Sequence, residues 1–256
     1  MILRSITHHV REQNWFAVGL DFLIVVVGVF IGIQVANWNA ERLERQIERD
    51  TLVRLHDDIV ESISGQDRDL RFLEQQLSDQ RVVVRALDAC AVAADDEPSF
   101  QRGLVTLGYV NPPRLFRRTI DEVAASGRTD VIRSEFISDE LASIVAIVEW
   151  RAAGHAQVIA GFEPHRRRLE RHIRYTLEKA FDDPFIPNHQ GGIVYDLEAL
   201  CADGEAANSV SAISYPTLER LEAYRPILER YRALLPLLEA ELLSRWGVVI
   251  EGAPAL

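Results

Sequence analysis

The chain is poor in the residues that usually announce a chemistry. It has only two cysteines, Cys90 and Cys201, and their wide separation matches no metal-ligand or redox spacing. In an oxidising compartment the pair can form one bridge; in a reducing one both are buried thiols. The histidines are His8, His9, His56, His155, His165, His172 and His189. None belongs to a His-Glu-x-x-His pattern, and the chain has no nucleophile elbow and no glycine loop able to cradle phosphates. Lysine is nearly missing: Lys179 stands beside 27 arginines, which reads as codon usage rather than chemistry. An excess of positive charge is missing too. The formal net charge is -11. Arg4 and Arg11 balance Glu12 and Asp21 in residues 1–39, so the whole acidic surplus lies in 40–256. A surface of that sign repels phosphate backbones, which excludes nucleic acid as a partner. Finally, no alternating polar–apolar run reaches useful strand length, and this predicts an all-α protein. No catalytic residue, cofactor or metal is expected, and the chain is read as no enzyme.

One long apolar run is present, "WFAVGLDFLIVVVGVFIGIQVANWN", from Trp15 to Asn39. A bilayer core needs about 20 apolar residues of helix. Trp15 and Trp38 are separated by ~34 Å at the helical rise, which places both indoles near the membrane interfaces. Residues 15–38 are therefore predicted to be a transmembrane helix, after a short tail over 1–14. A cleaved signal peptide would show a shorter apolar core and a small-x-small site. Here the run passes directly into "NAERLERQIERD", a charged helical pattern. At 100° per residue, Asp21, Val25, Gly28, Gly32 and Ala36 share one narrow stripe. Glycines four apart let two helix backbones approach closely, and a carboxylate avoids lipid by facing the same partner. The stripe is the predicted helix–helix interface. Snorkelling of Asp21 to the headgroups, with incidental glycines, is the plainer account. Orientation pulls two ways. Arg42, Arg45, Arg49 and Arg54 follow the span and outnumber Arg4 and Arg11, whereas a basic short tail ahead of a first helix usually stays inside.

Beyond the span, 40–88 contains no proline and one glycine, Gly65. Leu52, Leu55 and Ile59 recur at helical spacing. After Gly65 a second register runs through Leu70, Leu73, Leu77, Gln80, Val84 and Leu87, a coiled-coil-like seam. The shift near Ser62–Gly65 predicts a kink or a break. Residues 39–88 are expected to form a helical stalk and 89–256 a helical bundle; the seam fits equally a helix packed within its own chain. Pro98 marks a helix start and Pro112-Pro113 a break. Thr119 with Glu122 reads as a capping box opening a short helix that ends at Gly127. Ser138, with Asp139 and Glu140, reads as the cap of the next helix, which continues past Trp150 towards Phe181, bent at Gly161 or Pro164. "IVYDLEALCADG" suits a short strand or a helix. Helical spacing returns from Pro216 to Trp246, kinked at Pro226 and Pro236. His165 and His172 flank Arg166, Arg167 and Arg168, which reads as a solvated basic face on one helix. "SGR" at 126–128 reads as a helix C-cap, with anion binding the sharper alternative.

Two of these segments together resemble a bacterial family of single-span membrane proteins of uncharacterised function. "LDFLIVVVGVFIGIQVANWN" is similar to its anchor: an acidic residue, spaced glycines and a Q-x-x-N-W-N-like exit. "TIDEVAASGRTDVI" followed by "DELASIVAIVEW" looks like its soluble pattern, T-x-x-E-L-x-x-S-G-x-x-x-x-I and a Leu-rich helix. Asp21 sits at the acidic position, Trp38 at the tryptophan and Ser126-Gly127 at the S-G; Val123 replaces the usual leucine. The resemblance covers about 60 residues and implies an architecture with no mechanism. Its members' basic tails imply an N-terminus inside, an inner-membrane location and a periplasmic C-terminal domain. The expected function is a membrane-anchored scaffold or sensor-like module that meets the bilayer and either a second copy or a membrane-protein partner. In layout alone, the chain also resembles the proton-carrying subunits of flagellar-stator and energy-transducing complexes, with Asp21 as the titrating group.

Overall fold

The structure, a computed structural model, describes residues 15–128, 130–176 and 193–250, with the backbone alone for 15–18. The expected all-α class is observed: the described residues are about 80% helical, with about 3% strand. The chain separates after Asp50 into two compact units, Met1–Asp50 and Thr51–Leu256.

Helix α1 spans Trp15–Ala89 and has no break at Gly65. Within the first unit, every described side chain from Gly19 to Glu44 is exposed. The helix contains a stretch of mean hydropathy 2.3, long and apolar enough to cross a membrane, none of it buried within the protein.

In the second unit, α1 from Thr51 onward is core rather than a separate stalk. The expected boundary near residue 88 falls instead at residue 50, because Leu52, Leu55, Ile59, Ile63, Leu70, Leu73 and Leu77 bury their side chains in one apolar cluster. Their partners are Ile137, Leu141, Ile144 and Val148 of α4 (Glu135–Ala153), and the run Leu221 to Leu242 of α7 (Ala206–Trp246). The seam residues Leu70, Leu73, Leu77, Gln80 and Leu87 are thus buried inside this chain, with Val84 half-buried. Val82, Val83, Ala86 and Leu87, further along α1, enter a second cluster. It gathers Phe100 and Leu104 of α2 (Glu97–Val105), Phe162 and Leu169 of α5 (His155–Leu169), Leu200 of α6 (Leu197–Ala202) and Val210 and Ile213 of α7. A short helix α3 (Arg118–Ser126) lies between α2 and α4 in the sequence.

Several expectations are corrected by packing. Helix α4 ends before Gly154, and α5 runs unbroken through Gly161 and Pro164 to Leu169. The region 170–176 turns into a strand, so His172 leaves the helix that holds His165; residues 177–181 lie outside the described set. Both readings of "IVYDLEALCADG" apply in succession. Ile193–Tyr195 is strand β2, paired antiparallel to β1 (Ile173–Tyr175) with Ile173 opposite Tyr195, and α6 follows. Helix α7 starts ten residues before Pro216 and carries Pro216, Pro226 and Pro236 without interruption. Pro226 and Pro236 are on the exposed side. A proline on the exposed side of a helix keeps its ring out of the packed core.

Candidate functional site

The residues of the predicted interface stripe lie on α1. Asp21, Val25, Gly28, Gly32 and Ala36 are all exposed, and nothing lies within 4 Å of a Cβ built at Gly28 or Gly32. Trp38 is exposed beyond the stripe and Trp15 opens the helix, its side chain lying outside the described residues. An apolar helix face with a carboxylate and two open glycine positions offers close backbone approach to another helix.

Cys90 and Cys201 are joined, with their Cα atoms 5.7 Å apart. Cys90 sits just past the end of α1 with φ +50°, in the left-handed region usually left to glycine. Its N–H donates to Leu87 and that of Ala91 to Ala86, closing the helix end in the six-to-one pattern. A side chain here holds a strained conformation costing about 1–2 kcal/mol, and the bond to α6 explains why a cysteine occupies it.

The most organised polar array in the second unit escaped the sequence reading. Between Gly108 and Arg117 the chain is without regular structure, so its backbone groups need side-chain partners. The polar face of α1 supplies many of them. Asp58 Oδ2 accepts from the Thr119 N–H at 2.8 Å, Ser62 Oγ from Phe116 at 2.9 Å and Gln66 Oε1 from Arg114 at 2.9 Å. Gln76 Nε2 donates to the carbonyls of Thr106 and Tyr109 at 2.6 and 2.9 Å. From α7, the Tyr224 and Tyr231 hydroxyls donate to the carbonyls of Asn111 and Arg114. Burial pushes both tyrosine pKa values up, so both stay protonated as donors. Pro112 and Pro113 have no N–H to satisfy. Asp69 pairs with Arg114 through two contacts, and a Cβ at Gly65 would meet Arg114 Cδ at 2.9 Å. The apparent register shift at Ser62–Gly65 is therefore no break. It marks where a polar stripe (58, 62, 66, 69, 76), within ~80° on the helix, adjoins the apolar one.

This array also replaces the predicted caps. Thr119 is buried inside α3, and the carboxylate acting at the helix start is that of Asp58, from another helix. Glu122 instead holds Arg54 through contacts of 2.7 and 3.0 Å. Ser134, rather than Ser138, caps α4, accepting from Ile137, and Glu140 clasps Arg230 with both oxygens. Gly127 does end α3, in the left-handed conformation, so "SGR" is a helix cap. The basic run is neutralised locally. Arg166 and Arg167 pair with Glu163, Arg168 and His172 with Asp203, and His165 meets Ser209. Among the described residues no three His, Cys, Asp or Glu side chains gather as a metal site.

A cleft of about 600 Å³ opens on α4, α5 and α7, lined by Trp150, Arg151, His155, Glu219, Arg220 and Tyr224 among others. These residues come from two short stretches, 150–158 and 216–224, and belong to no motif; packing of α7 against α4 and α5 brings Arg220 beside Arg151 and His155. Comparison with protein-family models, curated proteins and solved structures returns no match.

Proposed function

We propose that the protein is a single-span, membrane-anchored helical scaffold or sensor-like module that self-associates, or binds a membrane partner, through the Asp21–Gly28–Gly32 face. The observation that carries this reading is a spanning-length apolar helix, exposed throughout, whose small residues and single acid share one side. The Cys90–Cys201 bond supports an oxidising compartment, and with it an inner-membrane anchor with residues 40–256 in the periplasm. The reading involves neither catalysis nor a cofactor.

The test is crosslinking in native membranes. Gly28→Leu with Gly32→Leu keeps the span apolar while filling the close-approach face, and is expected to abolish crosslinked oligomers or partner adducts. Unchanged adducts would remove the stripe from the interface. Asp21→Asn keeps hydrogen bonding and removes the charge. As a packing residue its variant assembles and functions. Normal assembly with loss of cellular function would point to the proton-carrying reading instead.

A further inference from the structure

We propose that the cleft on α4, α5 and α7 is a binding site for a phosphate group, held by Arg220, Arg151 and His155. Arg220 is 8% exposed, yet its Nη1 has no hydrogen-bond partner among the described residues. It forms no ion pair there, and its neighbour in the cleft is the Tyr224 hydroxyl. A buried guanidinium without a carboxylate is expensive in a protein interior and is the natural partner of an oxyanion. Arg151 is the second cation. It is exposed, its guanidinium lies 4.7 Å from the centre of the Trp150 ring, and no carboxylate pairs with it among the described residues. A contact with the ring face leaves the guanidinium N–H groups to bond an oxyanion.

His155 contributes a third group. Its Nδ1 is buried and without a hydrogen-bond partner. Burial, and then the Arg220 charge, lower its pKa, so near neutral pH the ring is uncharged and can carry the proton at Nδ1 as a donor. His155 is also the first residue of α5, a 15-residue helix whose cap, Gly154, offers no side chain to its first N–H groups. Gly154, His155, Gln157 and Val158 all line the cleft, beside Trp150, Arg151 and Ala153 from the last turn of α4. Among the described residues Glu219 is the one acid on the lining, and it is exposed. Two guanidinium groups and an imidazole therefore share the cleft with one carboxylate among the described residues, and the exposed Trp150 indole adds an apolar wall beside them.

A phosphate could arrive on a soluble molecule or as a lipid headgroup, and the experiment separates the two. The full-length chain is placed in phosphatidylcholine nanodiscs, and thermal unfolding is followed against inorganic phosphate, with ionic strength held constant by sodium chloride. Near a hundredfold excess over Kd the midpoint is expected to rise by about 5–10 °C. Arg220→Met replaces the buried charge with an apolar chain of similar length. It is expected to unfold at or above the wild-type temperature without phosphate and to lose the response. Arg151→Ala, on an exposed side chain, leaves folding intact and raises the half-maximal phosphate concentration about tenfold or more. It carries the test if the Arg220 variant fails to fold. Stabilisation by phosphatidylglycerol nanodiscs without added phosphate, lost in the variants, identifies the headgroup as the source. Stabilisation by free phosphate alone identifies a soluble ligand. No shift from either, an equal shift in wild type and variants, or full reproduction by sodium chloride overturns the proposal.

Discussion

Gly103 and Gly161 are both helical glycines, and the same substitution acts on them in opposite directions. A Cβ at Gly103 would stand 2.6 Å from Val83 Cγ2 and 2.7 Å from the Asp79 carbonyl oxygen, where α2 packs on α1. Gly103→Ala must move backbone against backbone and is expected to cost about 1–3 kcal/mol. Gly161 has nothing within 4 Å. Gly161→Ala is expected to stabilise by about 0.5–1 kcal/mol through helix propensity. Denaturant unfolding of the full-length variants in a membrane mimetic reads both signs. Tyr195 supplies a pH dependence. Its hydroxyl lies 2.7 Å from both carboxylate oxygens of Glu97; burial first, then that hydrogen bond, push its pKa up to about 12 from the usual 10.0. The folded state holds this proton more tightly than the unfolded state, so the contribution is whole below about pH 10 and is lost as pH rises towards about 12. Tyr195→Phe is expected to lower stability at neutral pH and to flatten that alkaline decline.

The behaviour of α1 and α7 shows how far local patterns reach at the scale of elements. Leu52, Leu55 and Ile59 announced a helix, as did the leucines after Gly65, and both registers pack against this chain's own helices, with Val84 half-buried. The inferred break between them failed because periodicity counts apolar residues alone. Asp58, Ser62 and Gln66 face inward as well, onto an irregular segment whose approach could not be known from α1 itself. The prolines of α7 do not interrupt it, and Pro226 and Pro236 lie on its exposed side. The Cys90–Cys201 bond ties the end of α1 to α6 across 111 positions. Cys201→Ser is expected to destabilise the oxidised protein by about 2–4 kcal/mol. Dithiothreitol should do the same to wild type and leave the variant unchanged. Adding Cys90→Gly to Cys201→Ser should recover about 1 kcal/mol over the matching serine pair, because glycine tolerates the positive φ.

At the scale of the whole molecule, the proposed topology is decided by fusions at the C-terminus. An active alkaline phosphatase and a dark fluorescent protein are the expected pair for a periplasmic second unit. The reverse pair would put that unit in the cytoplasm, where glutathione keeps thiols reduced and the Cys90–Cys201 bond would not persist. The acidic surplus after residue 39 is compatible with either side, since net charge governs solubility and partners rather than fold.

The sequence by itself determined the helical class, the apolar span, the aligned face of Asp21, Gly28 and Gly32, and the end of α3 at Gly127. Each of these is written in the order of neighbouring residues: a period of 3.6, a run length, a cap. Only the tertiary structure decided that α1 is core from Thr51 onward, that Asp58 serves as the cap of a distant helix, that Glu140 belongs to Arg230, and that Arg151, His155 and Arg220 share a cleft. Those pairings join residues separated by tens of positions, and a long-range partner is chosen by which helices bury their apolar faces together. A polar residue then takes whichever backbone group or charge that packing brings within hydrogen-bond reach.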